Sequence, residues 1–241
     1  MKCRGRVAVV TGAAGQGMGR SIALTLAREG ARVVVNHRSG RERALAIVEH
    51  ISMRGGEAMA VQADVFEADG CGHLIEQAVA RFGQVDICVI GPGAGWNPEP
   101  PQQLAAAAAL EDARRELAPI YHLLPLVLPG MAERGWGRVI ALGLEPGYGS
   151  PAYSYNVGKA ARMHAMLLAH RAAGKNGVTL NVIGPGPVAG LQSLEAAVAQ
   201  CDGGALWLER EAASPQDVAE GVAFLCSEAG RFISGCVLKY E

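Results

Sequence analysis

The sequence lacks an excess of charge of either sign. Its 241 residues include 22 Lys and Arg against 23 Asp and Glu, a formal net charge of -1, and no basic stripe runs along the chain. Proteins that bind nucleic acid or an anionic membrane surface present clustered positive charge. We therefore expect no nucleic acid and no membrane as partner, and we expect a small-molecule substrate.

Long hydrophobic runs and closely paired cysteines are also missing. No apolar segment reaches the ~20 residues that a membrane-spanning helix needs, and Met1–Arg6 leads into a strand pattern without the apolar core of a signal peptide. The six cysteines form no CxxC pair, which favours reduced thiols. These absences predict a cytoplasmic protein and suggest no metal site.

Hydrophobic residues and glycine are abundant instead. Hydrophobic residues make up 50% of the chain, charged residues only 19%, and glycine occurs 32 times. Short runs rich in valine and isoleucine alternate with longer segments of helical period, which is typical of repeated βαβ units. The sequence predicts an α/β fold, a Rossmann-like doubly wound parallel sheet of about seven strands flanked by helices. Without an internal repeat or linker, residues 1–241 are expected to form a single domain.

The predicted elements follow from this alternation. Strands are expected at Val7–Val10, Arg32–Asn36, Ala58–Gln62, Ile87–Ile90, Arg138–Leu142, Thr179–Ile183 and Cys236–Lys239. Helices are expected near 18–29, 41–54, 69–82, 104–117, 120–134, 152–174 and 215–228. Pro119 and Pro125 predict a kink or a break between the fourth and fifth helices, because proline lacks an N–H and clashes with the preceding turn.

A glycine-rich turn, TGAAGQGMGR, follows the first strand and leads into a helix. Glycines let the backbone approach a pyrophosphate closely, and the helix amino terminus offers free N–H groups to the anion. An ordinary glycine-rich βα turn is the alternative, but the strand-turn-helix context that a dinucleotide fingerprint requires is present. The residues predicted to hold the cofactor here are Gly12, Gly15, Gly17, Met18 and Gly19.

The end of the second strand indicates which dinucleotide is bound. An NAD site usually places an acidic residue there for the ribose 2′-hydroxyl, whereas this chain has Arg38 and Ser39. A guanidinium can pair with a 2′-phosphate, so NADPH (NADP⁺) is favoured over NADH, unless Arg38 is simply solvated. Asp64, beside Val65 after the third strand, is expected to accept from the adenine amino group; a loop cap is its alternative role.

The chain resembles the short-chain dehydrogenase/reductase family over nearly its whole length. The glycine turn is similar to that family's TGxxxGxG, Tyr155 and Lys159 match its YxxxK, and 181–186 is similar to its segment beside the nicotinamide. Residues four apart share one helix face, so Tyr155 and Lys159 can share a site.

The resemblance implies roles for these residues. Tyr155 is expected to be the general acid or base, and Lys159 to lower the pKa of the tyrosine while holding the nicotinamide ribose. Pro185, Gly186 and Val188 are expected beside the cofactor. The resemblance also implies a homodimer or homotetramer, formed through the fourth and fifth connecting helices.

Four departures from the family pattern concern mainly the substrate side. Four residues, not three, separate Gly12 from Gly17, and 90–93 (IGPG) stands where the family has NNAG. The end of the fifth strand, 141–144 (ALGL), lacks the family's serine, for which Ser150 and Ser154 are the nearest substitutes. The helix asparagine of the family aligns near Arg115 or Glu116.

Three functions follow as hypotheses. The first is an NADPH-dependent reductase of a carbonyl, imine or activated alkene, with Tyr155 as proton donor. The second is a redox-neutral cyclase, dehydratase or isomerase that uses Tyr155 with Glu116, His122, Glu145 or Tyr148, since the serine is missing. The third is a catalytically silent cofactor-binding subunit of a partner enzyme.

Overall fold

One parallel sheet organises the molecule. The computed structural model describes residues 1–144, 152–173, 176–188, 190, 193–203 and 213–240. Seven strands pair side by side in the order β3-β2-β1-β4-β5-β6-β7, and every neighbouring pair is parallel. The strands are β1 (Val7–Val10), β2 (Arg32–His37), β3 (Ala58–Gln62), β4 (Ile87–Ile90), β5 (Gly137–Leu142), β6 (Val178–Pro185) and β7 (Val237–Tyr240).

The helices cover both faces of this sheet. They are α1 (Met18–Arg28), α2 (Arg41–Met53), α3 (Ala68–Phe82), α4 (Ala106–Glu133), α5 (Tyr153–Ala173), α6 (Leu194–Gly203) and α7 (Pro215–Cys226). One hydrophobic cluster lies under α1, α2, α6 and α7, and a second lies under α3, α4 and α5. The predicted fold class, a Rossmann-like doubly wound sheet, is confirmed.

The helix α4 corrects one prediction. The prolines were expected to kink or split this stretch; it is not split, because Ala106–Glu133 is one helix with Pro119, Pro125 and Pro129 inside it. Each proline removes one backbone hydrogen bond, while the buried face of α4 packs against α5 and α3 along its length. Tertiary packing therefore outweighs the local preference. Helix α6 was not predicted from the sequence.

No helix in the described part of the chain is both long and apolar enough to cross a bilayer.

Candidate active site and cofactor cleft

The predicted cofactor residues gather at the carboxyl edge of the sheet. Strands β1 and β4 are neighbours, yet the chain leaves β1 for α1 on one face and β4 for α4 on the other. Such a reversal opens a crevice at the strand ends, where doubly wound proteins bind ligands. A cavity of about 250 Å³ lies in this crevice and is lined by Gly12, Ala14, Gly15, Asn36, His37, Arg38, Ser39, Arg43, Ala63, Asp64, Val65, Phe66, Pro92 and Gly93.

A larger cavity lies away from this edge. It measures about 420 Å³, is bordered by α1, α2 and α6, and includes Arg28, Arg54 and Cys201 in its lining. None of the predicted site residues lines it. We therefore place the candidate cofactor site at the smaller cavity, which is lined by the predicted residues Gly12, Gly15, Arg38, Ser39, Asp64 and Val65.

The glycine turn has the shape of a phosphate cradle. Gly12 adopts a φ of 65°, which favours glycine, and a Cβ at Gly19 would stand only 2.8 Å from the Gly12 carbonyl oxygen. Gly15 and Gly17 are solvent-exposed. Helix α1 begins at Met18 with Gly17 as N-cap, without a capping side chain and without an acidic residue in its first turn. Its amino terminus is thus open to an anion, and the turn fits a dinucleotide pyrophosphate.

Three polar side chains that sequence analysis did not single out hold this turn. Asn36, buried at the end of β2, accepts from the Gly12 N–H at 3.1 Å and donates to the Ala63 carbonyl at 3.1 Å. Arg20 donates twice to the Gly15 carbonyl, at 3.2 and 3.1 Å. Arg43 Nε donates to the Ala14 carbonyl at 2.9 Å. A polar residue at the end of the second strand was the signal that could have identified Asn36.

Basic and hydroxyl side chains that follow β2 line one side of the cavity, and we call Arg38, Ser39 and Arg43 together the basic wall. Arg38 and Ser39 are both exposed and both line it. The Arg38 guanidinium lies 3.8 Å from a carboxylate oxygen of Asp64, a solvent-accessible pair of modest strength. The other carboxylate oxygen of Asp64 accepts from the Phe66 N–H at 3.0 Å, so Asp64 does cap its loop while it also lines the cavity.

Tyr155 and Lys159 lie together near the beginning of α5. The Lys159 ammonium is 5.4 Å from the centre of the Tyr155 ring, as their four-residue spacing predicts. The edge of Trp96, from the loop after β4, meets the same ring at a centroid distance of 5.6 Å. Tyr155 is half-buried, whereas 59% of the Trp96 side chain is exposed. Trp96 is therefore the exposed aromatic neighbour of the tyrosine.

The pKa of Tyr155 is shifted upward, opposite to the direction that the family resemblance implied. Burial raises the pKa of Tyr155 above its ordinary value, the Glu116 carboxylate raises it further, and Arg162 opposes the change. The lysine was expected to lower this pKa, but its ammonium is already paired with a carboxylate. The phenol consequently stays protonated at neutral pH.

A buried charge cluster lies behind the tyrosine. Glu116 on α4 is fully buried and places one carboxylate oxygen 3.2 Å from Lys159 Nζ and 2.9 Å from the Arg162 guanidinium. Its other oxygen accepts from the Ala94 N–H at 2.8 Å. Burial, with the charge of Arg162, lowers the pKa of Lys159 to about 8, although Glu116 favours the ammonium. The lysine and arginine charges hold the pKa of Glu116 below its ordinary value against the effect of burial.

Two glycines make room for the Glu116 side chain. A Cβ at Gly93 would overlap the Glu116 carboxylate, and a Cβ at Gly158 would stand 2.9 Å from Glu116 Cγ. Of the two positions where the family's asparagine aligned, Glu116 is the one that faces the site. Arg115 instead stacks on Phe66, with its guanidinium carbon 5.0 Å from the ring centre.

The described residues at the end of β5 offer no hydroxyl. Leu142 is buried in the core, and a Cβ at Gly143 would stand 2.7 Å from the sulfur of Met163. The Ser154 hydroxyl donates to the Asp112 carboxylate at 3.0 Å. Ser150, the other candidate substitute, lies outside the described residues.

The remaining candidates are spread over the molecule. His122 lies half-buried on α4, whereas Glu145 and Tyr148 fall outside the described residues. Pro185 ends β6, and the Gly186 N–H donates to the Tyr240 carbonyl at 2.7 Å. Val188 forms an isolated parallel bridge with Ala213. Across the described residues, no group of three or more His, Cys, Asp or Glu side chains is placed to hold a metal ion.

Comparison with known proteins identifies the family of this chain. The sequence profile described as short chain dehydrogenase matches residues 6–199. An uncharacterised oxidoreductase of Methylorubrum extorquens is 33% identical over 257 residues, covering 99% of this chain and 97% of the relative. The 3-oxoacyl-(acyl-carrier-protein) reductase FabG of Staphylococcus epidermidis is 31% identical over 235 residues, covering 95% and 94%.

A solved structure shows the same architecture. It is a 7α-hydroxysteroid dehydrogenase complexed with NADH and 7-oxo glycochenodeoxycholic acid, 28% identical, with a TM-score of 0.84, covering 99% of this chain and 93% of that one. The family profile, these relatives and the cleft at the carboxyl edge agree. The chain therefore belongs to the short-chain dehydrogenase/reductase family of oxidoreductases, whose fold binds a nicotinamide dinucleotide.

Proposed function

We propose that the protein is an NADPH-dependent reductase of a carbonyl, imine or activated alkene in a small molecule, with Tyr155 as the general acid. The observation that carries this proposal is the half-buried Tyr155 directly beside the buried Lys159, on the helix that follows β5. The bound cofactor would supply the hydride. The proton would come from the protein itself, from the Tyr155 hydroxyl.

The state of Tyr155 favours the reductive direction. Because the pKa of Tyr155 is raised, its hydroxyl carries a proton at neutral pH and can donate it to the substrate atom that gains negative charge. Below a pH of about 8, Lys159 is an ammonium anchored by Glu116. We propose that this ammonium contacts the ribose hydroxyls of the cofactor.

The missing serine narrows the substrate class. A positioned hydroxyl that stabilises the oxygen of a reacting carbonyl typically contributes ~10²–10³ in rate, and neither Leu142 nor Gly143 can provide one. Imines and activated alkenes depend less on such a donor than ketones do. We therefore expect these two classes to be reduced faster than simple ketones.

The preference for NADPH rests on the wall formed by Arg38, Ser39 and Arg43. All three line the cavity at the end of β2, where their charge and donors suit a 2′-phosphate. We propose that Gly12, Gly15, Gly17, Met18 and Gly19 hold the pyrophosphate. We propose further that Asp64 and Val65 flank the adenine, and that Pro185, Gly186 and Val188 lie beside the nicotinamide.

We also propose a homodimer or homotetramer. Several large apolar side chains on α4 and α5 are exposed in the described chain: Leu110, Tyr121, Leu126, Tyr153, Val157 and Leu168. Apolar side chains gathered on two adjacent helices commonly mark an interface between protein chains. Met166 is fully buried, so the Met163–Leu168 segment serves the core as well as this surface.

Replacing Tyr155 tests the proposed function. Tyr155→Phe removes the proton donor but keeps the ring, so we expect NADPH oxidation to fall by ~10²–10⁴ while NADPH affinity changes little. Turnover is followed by NADPH absorbance with a panel of imines, enones and ketones, and affinity by NADPH fluorescence. Tyr153→Phe, at an exposed tyrosine of the same helix, is the matched control.

The alternatives give other outcomes. Absence of NADPH oxidation with every substrate would reject the reductase. Conversion of a substrate without any change in NADPH absorbance would favour the redox-neutral enzyme, although Glu116, already bound to two cations, is unsuited to act as its base. Copurification with a catalytic partner whose activity survives Tyr155→Phe would favour the silent subunit.

A further inference from the structure

Arg162 joins three parts of the site from a fully buried position. Its guanidinium donates to the Ile90 carbonyl at 2.9 Å, to the Pro92 carbonyl, and to the Glu116 carboxylate at 2.9 Å. Neither side chain of the Arg162–Glu116 pair is exposed to solvent. One side chain on α5 thus connects the loop after β4, which lines the cofactor cavity, to α4, which carries Glu116.

Charge neutrality does not explain Arg162. Glu116 and Lys159 alone form a neutral pair, and the arginine gives the cluster of three a formal charge of +1. A buried charge is expensive unless its hydrogen bonds are made in good geometry. Here both terminal nitrogens of the guanidinium donate to backbone carbonyls or to the carboxylate, while Nε has no hydrogen-bond partner among the described residues. The directed bonds of the two terminal nitrogens indicate a positioning role.

The surrounding residues are adapted to this arrangement. The carboxylate of Glu116 fits only because Gly93 and Gly158 have no Cβ, and the Ala94 N–H binds the oxygen that faces away from the cations. Three separate positions therefore favour a single placement of the Glu116 side chain. Such agreement between independent positions argues against an incidental contact.

We propose that Arg162 is a positioning residue of the active site: it fixes the Glu116 carboxylate and the loop after β4, and Glu116 in turn anchors the Lys159 ammonium beside Tyr155. The positive charge of Arg162 opposes that of Lys159 within the same cluster. The inference rests on the proposed function for the roles of Tyr155 and Lys159. The effects of Arg162 and Glu116 on the pKa of Lys159 do not depend on the proposed function.

The described side chains that affect the pKa of Lys159 come from two helices. Glu116 on α4 favours its ammonium form, while Arg162 on α5 and burial disfavour it; Tyr155 on α5 is the neutral neighbour. Removing the arginine charge should therefore raise the pKa of Lys159. Removing the Glu116 charge should lower it.

Direct titration of Lys159 tests the proposal. The chain has four lysines, Lys2, Lys159, Lys175 and Lys239, so lysine isotope-labelled at Cε gives four resolvable NMR signals, and Lys159→Arg identifies the one of interest. We expect Lys159 to titrate below the ordinary lysine pKa. Arg162→Met should raise its midpoint by about one pH unit or more, and Glu116→Gln should lower it.

Matched controls separate this coupling from general damage. Arg171→Met, at an exposed arginine of α5, and Glu111→Gln, at a glutamate of α4 paired with Arg114 on the surface, should leave the Lys159 midpoint unchanged. If Arg162→Met does not fold, Arg162→Gln, which keeps amide donors for the two carbonyls, takes its place.

If the Lys159 midpoint in Arg162→Met equals that of the unmodified protein within error, the proposed role of Arg162 is wrong. If the midpoint in Glu116→Gln is likewise unchanged, Glu116 does not anchor the Lys159 ammonium. The titration needs neither cofactor nor substrate. A protein that shows the expected midpoint shifts but never oxidises NADPH would therefore reject the proposed function and support this inference.

Discussion

At the scale of single residues, the surroundings of a side chain decide its chemistry. Lys159 has the same side chain as any surface lysine, yet burial beside Arg162 lowers its pKa to about 8. Tyr155, one helical turn away, changes in the opposite sense, because burial penalises its phenolate and Glu116 repels it. The YxxxK spacing predicted that the two residues meet. Their acidities depend on Glu116, which another helix supplies.

The basic wall at the end of β2 carries a prediction about cofactor choice. In Arg38→Ala and Arg43→Ala, loss of a charged donor to the 2′-phosphate should weaken NADPH binding about tenfold or more, whereas NADH, which lacks that phosphate, should bind as before. Fluorescence titration with both dinucleotides measures this. Arg54→Ala, outside the 250 Å³ cavity and paired with Asp202 on the surface, is the control.

Equal weakening of both dinucleotides would contradict the proposed selection, and unchanged NADPH affinity would show that Arg38 is only a solvated arginine. Arg43 also donates to the Ala14 carbonyl. Its variant therefore tests the shape of the cradle together with the charge, and Arg38 is the cleaner probe of the two.

At the scale of elements, the contact between α4 and α5 determines the site. Glu116 comes from α4, and Tyr155, Lys159 and Arg162 come from α5. The two helices approach closely where Gly158 faces Glu116. Local rules predicted a break in α4 at its prolines, but the helix runs unbroken to Glu133, and its packed face presents Glu116 to α5.

The close approach at Gly158 gives a prediction for stability. In Gly158→Ala, the new Cβ would lie 2.9 Å from Glu116 Cγ, so we expect the free energy of unfolding to fall by ~1–3 kcal/mol and the Lys159 titration to shift. Denaturant unfolding measures the first effect. Gly72→Ala in α3 is the matched control, because its Cβ would meet nothing within 4 Å, and alanine should favour the helix by up to ~1 kcal/mol.

A Gly158→Ala protein as stable as the unmodified chain would show that α4 and α5 can separate slightly without loss. The contribution of Gly158 to the placement of Glu116 would then be minor.

At the scale of the whole molecule, the strand order creates the cleft. β1 lies beside β4, and their connections leave on opposite faces, so the glycine turn and the loop after β4 meet at one edge. The contact of Gly12 with Pro92 shows how close they are: a Cβ at Gly12 would stand 2.7 Å from the proline ring. Six large apolar side chains on α4 and α5 remain exposed in the described chain.

These exposed surfaces predict the effect of a charge on assembly. Leu168→Asp, at a side chain 53% exposed on α5, should leave the fold intact but shift the protein toward monomers, because a carboxylate cannot be buried unpaired at an interface. Sedimentation velocity at several concentrations measures this. Leu45→Asp, at a side chain 46% exposed on α2, should not change the mass, and an unchanged mass in Leu168→Asp would place any interface elsewhere.

The sequence by itself determined the features that depend on local pattern. Period and composition were enough for the seven strands, for the layered α/β class and for most helix limits. The glycine spacing located the turn between β1 and α1 that we propose holds the pyrophosphate, and the four-residue spacing of Tyr155 and Lys159 placed them on one helix face. Such features depend on residues that are close to one another in the sequence, so the sequence alone is enough to predict them.

Only the tertiary structure decided which distant residues meet. Asn36 binds the Gly12 N–H, and Glu116 pairs with both Lys159 and Arg162 on α5. Arg162 belongs to no motif, and because α5 carries several other polar and charged residues, the sequence gives no sign that this arginine is buried. Its proposed role depends on the carbonyls of Ile90, which ends β4, and of Pro92, in the loop after it, and on a carboxylate from α4. Packing alone brings these segments together.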